Sequence, residues 1–108
     1  MRSTSNHRRA EWLKRRFLNA LHRMGVTPSV PVSQQVLTWD YQGQAPDGRL
    51  VLCVQVKNRD SLDLRRVECA LSHVRFNSGM VVVGVPRNEQ VRWYSAFRNE
   101  PKISVVGL

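Results

Sequence analysis

The run Met80-Val81-Val82-Val83-Gly84-Val85, stopped by Pro86, constrains this chain more than any other segment. Consecutive β-branched residues with no polar alternation belong to a strand covered on both faces, which requires helices on either side of a sheet. The flanking sequence offers those helices. Asp60-Ser61 can cap a helix running to about Phe76, with Leu64, Val67, Leu71 and Val74 as its inner stripe and Asn77-Ser78-Gly79 as its end. Asn88 to about Arg98 predicts a further helix with Val91, Tyr94 and Phe97 facing inward, and Ile103 to Leu108 a last short strand.

The N-terminal half supplies the other layer. From Arg8 to about Met24, Leu13, Phe17, Ala20, Leu21 and Met24 recur at helical spacing and Gly25 stands where a helix would stop. Residues 1–7 read as a flexible tail before a single domain over 8–108. Residues 26 to 35, with Pro28 and Pro31, suggest an irregular or edge strand. Val36 to Tyr41 and Leu50 to Lys57 then read as two strands of a hairpin around Ala45-Pro46-Asp47-Gly48. The expected fold is α/β: a mixed central sheet flanked by helices, in the order α, two or three β, α, β, α, β.

Charge narrows the function. The chain has 108 residues, with 17 Lys and Arg against 8 Asp and Glu, and 14 of the basic residues are Arg. The outer face of the first helix carries Arg8, Arg9, Lys14, Arg15, Arg16 and Arg23, with Glu11 its one acid. Guanidinium forks match phosphate oxygens, and a basic surface gains affinity by releasing counterions from nucleic acid. Arg8, Arg9, Lys14, Arg15, Arg16 and, beyond the hairpin, Arg59 are the candidate nucleic-acid contacts. No apolar run approaches the ~20 residues of a membrane span, and the N-terminal charges lead into no apolar segment. The expectation is a cytoplasmic protein with no membrane partner. Cys53 and Cys69 each fall in an apolar pattern and read as reduced core residues.

Gln55 and Lys57 interrupt the second hairpin strand. They are two apart and share one face, while Leu50, Leu52, Val54 and Val56 take the other. Asp40 sits in the preceding strand, the one acid between Glu11 and Asp47. The Pro46-Asp47 pair belongs to the turn, since Asp47 lies roughly 26 Å along an extended strand from Gln55. A two-residue loop at Pro46-Asp47 pairs Asp40 with Cys53 and places it beside Gln55 and Lys57. A three-residue loop flips it away unless a bulge, for example at Gly43, restores the face. Simpler roles stand beside these: Asp40 and Lys57 as a cross-strand ion pair, Glu11 as the i,i+4 partner of Arg15, and Trp12, Trp39 and Trp93 as core or rim residues.

With Asp40 followed by Gln55-Val56-Lys57, and the order αβββαβ over residues 8 to 85, the chain resembles the PD-(D/E)XK nuclease superfamily. That superfamily includes restriction endonucleases and archaeal Holliday-junction resolvases. The Gln-x-Lys variant is similar to that of Mrr-type modification-dependent restriction enzymes and of endonucleases that nick transposon ends. The resemblance implies a DNA endonuclease, alone or as the nuclease subunit of a recombination, transposition or restriction system, of prokaryotic or phage type. It implies Mg²⁺ or Mn²⁺ held by Asp40, the backbone carbonyl of Val56 and Glu11, with Lys57 acting on the attacking water. Gln55 departs from the usual acid and adds no negative charge. The alternatives are a non-catalytic nucleic-acid-binding module on the same scaffold and a basic adaptor for an acidic protein or a ribosome. Cutting both strands would call for a homodimer or larger assembly.

Overall fold

The structure is a computed structural model. It describes residues 2–31, 38–57 and 60–108, with the side chains of the first helix described from Arg8 onward. Helix α1 (Arg2–Arg23) opens the chain. Residues 2–7, expected as a tail, are its first turns, because neither glycine nor proline interrupts the chain before Gly25. Its end closes as a Schellman motif: Val26 donates to the Leu21 carbonyl at 2.9 Å and Gly25 to the His22 carbonyl at 3.0 Å.

Strands β1 (Tyr41–Gln44) and β2 (Leu50–Gln55) form the expected hairpin. Helix α2 (Ser61–Val74), strand β3 (Met80–Val85), helix α3 (Gln90–Phe97) and strand β4 (Ile103–Gly107) follow. The sheet order is β1-β2-β3-β4, with β1 antiparallel to β2 and the other two pairs parallel. The fold is therefore α/β with a mixed sheet, as the uninterrupted run at β3 required.

Several elements differ in detail. The strand expected at Val36–Tyr41 begins at Tyr41, and residues 32–37 lie outside the described residues. The strand expected within 26–35 is a single bridge, Ser29 to Gln42, among the described residues. Helix α2 stops at Val74, and Phe76 is 94% exposed. The third helix has the largest correction. Val91 and Tyr94, expected inside, are exposed, whereas Trp93 is fully buried and stacks on Phe97 at 5.8 Å. Trp93 and Phe97 are four apart, a helical spacing of their own, and this pair of large rings takes the inner face.

Both faces of the sheet are covered. Phe17 and Leu21 of α1 pack with Tyr41, Val51, Cys53 and Val82 on one side. Val67, Leu71 and Val74 of α2 and Trp93 of α3 pack with Leu52, Val54, Val81 and Val83 on the other. Phe17 reaches the sheet at Gly84, where an added Cβ would lie 2.7 Å from the ring. Burying each Val, Leu or Phe stabilises by about 1.5–3 kcal/mol, so a polar side chain at this level needs a partner or an opening. Gln55, at the end of β2, has the opening.

Candidate functional site

A cleft of about 580 Å³ opens beyond the carboxyl end of β2, between α1 and α2. Open α/β sheets commonly bind ligands in this position, because loops and helix ends leave a crevice there. Glu11, Lys14, Asp40, Gln55, Lys57 and Arg66 are among its walls. The four residues expected to carry chemistry thus line one cavity, although they come from α1, the residue before β1, β2 and the segment after β2.

The hairpin explains how Asp40 arrives there. Ala45 donates to Arg49 and Gly48 donates to Ala45, both at 2.8 Å, so Pro46-Asp47-Gly48 is a three-residue loop. Gly48 has φ of 88°, which an L side chain adopts with strain. This is the loop that would turn Asp40 away. The displacement is undone at Asp40 itself, not at Gly43. Tyr41 is opposite Cys53, yet the Asp40 N–H also donates to the Cys53 carbonyl at 2.8 Å. Two residues against one is a β-bulge, and the chain bends there. The Asp40 carboxylate then accepts from the Gln55 backbone N–H at 2.7 Å through Oδ2.

Asp40 is not paired with Lys57. The same Oδ2 receives Arg66 Nη2 of α2 at 2.7 Å. Arg66 also donates through Nη1 to the Gln55 carbonyl at 3.2 Å and through Nε to the Thr38 carbonyl at 3.1 Å. Its Nη1 lies 3.4 Å from Asp63 Oδ1. Asp63 is buried, and its Oδ2 accepts from the Lys57 backbone N–H at 3.0 Å. Asp60 caps α2 by accepting from the Asp63 N–H at 2.8 Å. Arg66 and Asp63 thus tie α2 to both strands of the hairpin and fix the backbone from which Gln55 and Lys57 project.

The electrostatics of the cleft are mixed. Glu11 and Lys57 are exposed, and Glu11 makes no ion pair with Arg15 among the described residues. The Tyr41 phenol is held protonated above its ordinary range, first by burial and then by the carboxylates of Asp40 and Glu11. Both acids therefore bear on one point of the cleft wall. Burial, with Asp40 adding to it, pushes the Cys53 thiol up to about 12. Both cysteines are free thiols.

Among the described residues, no three His, Cys, Asp or Glu side chains converge as a metal cluster. Mg²⁺ does not require one, since it is commonly bound through one or two carboxylates plus substrate phosphate and water. Glu11, Asp40 and the Gln55 side-chain amide offer hard oxygen donors on one cleft, and among the described residues only Oδ2 of Asp40 is engaged by hydrogen bonds. That donor set fits Mg²⁺ or Mn²⁺, with Arg66 as a resident competing charge.

Arg8, Arg9, Lys14 and Arg15 are exposed along α1, with Lys14 on the cleft wall. Arg16 is half-buried, its guanidinium 4.7 Å above the ring of Trp12. Arg59 lies outside the described residues. Arg9, Ala10, Leu13, Lys57 and Pro86 line a second hollow of about 310 Å³, so Lys57 stands between the two cavities.

The chain matches no family model, no curated protein and no solved structure.

Arg66 and Asp63 are the contributors that the sequence did not reveal. The signal for Asp63 was Asp60-x-x-Asp63, the acid three residues after a helix cap, where a side chain can turn back toward preceding backbone N–H groups. Arg66 had no such signal, being 26 residues from Asp40.

Proposed function

We propose that this protein binds DNA through the basic face of α1 and hydrolyses a phosphodiester in the cleft, as a Mg²⁺- or Mn²⁺-dependent endonuclease or nuclease subunit. The observation that carries the reading is that Glu11, Asp40, Gln55 and Lys57, distant in sequence, line one cavity at the carboxyl end of β2. Glu11, Asp40, Gln55 and the Val56 carbonyl would hold the ion, which when bound polarises the phosphate and lowers the pKa of water. Lys57, exposed at the rim shared by both hollows, meets the phosphate and neutralises charge developing on it. Arg66 keeps Asp40 fixed against β2, and Asp63 fixes the Lys57 backbone. Lys14 on the opposite wall and the α1 arginines bind the flanking backbone.

The second reading, a non-catalytic DNA-binding module, is favoured by one contact: Arg66 already neutralises Asp40 at 2.7 Å. Incubation with linear, branched and single-stranded DNA in Mn²⁺, Mg²⁺ or EDTA separates the two readings. The nuclease reading expects metal-dependent cutting that falls at least a hundredfold in Asp40→Asn and Lys57→Ala. Salt-sensitive binding without cutting supports the module. Cutting unchanged in both variants contradicts the assignment of the cleft. The reading places the protein in the cytoplasm, with no membrane partner; no helix among the described residues is long and apolar enough to cross a membrane.

A further inference from the structure

The far end of α1 carries a second feature, away from the cleft. Arg16, Asn19, Ala20 and Arg23 line a small hollow of about 90 Å³ against Gly107 and Leu108 at the end of β4. Arg16 is held over Trp12 by the cation–π contact, and its Nε is buried with no hydrogen-bond partner among the described residues. A buried guanidinium N–H with no acceptor is costly, and an oxyanion beside the Arg16 guanidinium would offset that cost electrostatically. Arg23 and the Asn19 amide supply further donors at one and two turns of the helix from each other and from Arg16.

Spacing links this hollow to the cleft. Arg9, Arg16 and Arg23 recur every seven residues along one edge of α1, roughly 10 Å apart at 1.5 Å per residue. Arg9 lines the hollow that adjoins Lys57, and Arg16 and Arg23 line the distal one. The edge is a row of guanidinium groups that leaves the cleft rim and ends in a donor-lined hollow.

We infer that Arg16, Asn19 and Arg23 form a phosphate-binding site that grips the nucleic-acid backbone at a distance from the cleft and sets the direction in which the strand leaves it. The inference rests on the DNA-binding reading above and deepens it. The phosphate is a backbone diester, and free inorganic phosphate is the competing source of the same chemistry.

Two measurements test it. Fluorescence anisotropy with a labelled 20-base-pair duplex in EDTA, between 50 and 200 mM NaCl, gives the dependence of log K on log salt. Arg16→Gln/Arg23→Gln is expected to lower that slope by nearly two, since each phosphate contact contributes about 0.9. Arg75→Gln/Arg98→Gln, which removes equal charge from other exposed positions, is expected to leave it unchanged. Titration of the isotope-labelled native protein with inorganic phosphate should shift the Asn19 side-chain amide resonances, and the shift should vanish in Arg16→Gln. Equal slopes for the two double variants, with no Asn19 shift, overturn the site. An Asn19 shift without any binding of DNA by the native protein keeps the oxyanion site, assigns it to free phosphate, and overturns the DNA-binding reading instead.

Discussion

Arg66 Nη2 and the Gln55 backbone N–H meet on a single oxygen of Asp40, each at 2.7 Å. One carboxylate oxygen thereby joins α2 to the bulge before β1 and to the end of β2. The acid is oriented by a main-chain donor and neutralised by a side chain, and these two effects can be separated by mutation.

Arg66→Met keeps the length and apolar stem of the side chain and removes its donors. Asp40 loses a charge-assisted bond, and the Gln55 and Thr38 carbonyls lose theirs. Asp40 is about a third exposed and Asp63 nearly buried, so water rescues the first acid better than the second. The expected loss is about 1–3 kcal/mol, read by urea denaturation without metal. Since the Gln55 backbone N–H still orients Asp40, Mn²⁺ should bind several-fold tighter once the competing charge is gone, read by calorimetry. Weaker Mn²⁺ binding with native stability would contradict the competition.

Cys53 supplies a pH prediction with a definite sign. Its thiol is pushed up to about 12 in the folded protein, above the unfolded value near 8.5. Below the unfolded pKa both states hold the proton, and the full contribution to stability is present. As pH rises toward 12 the unfolded chain gives up its proton first, so stability is lost. Tyr41, raised in the same direction, adds to the fall. Melting temperature should therefore drop between about pH 9 and 11, and the slope should be shallower in Cys53→Ala. At pH 8 a thiol reagent should modify half-exposed Cys69 readily and buried Cys53 only as fast as the protein opens.

Gly84 is where the Phe17 ring rests on the sheet, and an added Cβ would come within 2.7 Å of it. Gly84→Ala should cost about 1–3 kcal/mol through overpacking, because Phe17 is fully buried and cannot swing out. The shift would appear in the denaturation midpoint with the m-value unchanged. Because Glu11 projects from the same helix, displacing α1 should also reduce cleavage.

Helix α2 was legible because its apolar stripe is pure: Leu64, Val67, Leu71 and Val74 repeat at helical spacing and all turn inward. Strand β3 was legible because β-branched residues in an unbroken run have few other uses. Helix α3 misled because its sequence carries two stripes at helical spacing, Val91 with Tyr94 and Trp93 with Phe97, and only packing decides between them. The position of Asp40 depended on a bulge, which is a backbone event with no side-chain signature here. The Arg66 knot was hidden for a different reason: on a chain with 14 arginines, nothing local separates an arginine that folds inward from those that face solvent.

The central claim is that Glu11, Asp40 and Gln55 share one divalent ion beside Lys57. A crystal soaked in millimolar Mn²⁺ and measured at the manganese absorption edge tests it most directly. One anomalous peak is expected in the cleft, within about 2.0–2.4 Å of oxygens from Asp40 and Gln55, with Glu11 bound directly or through water. An empty cleft at saturating Mn²⁺, with Arg66 still seated on Asp40, would contradict it.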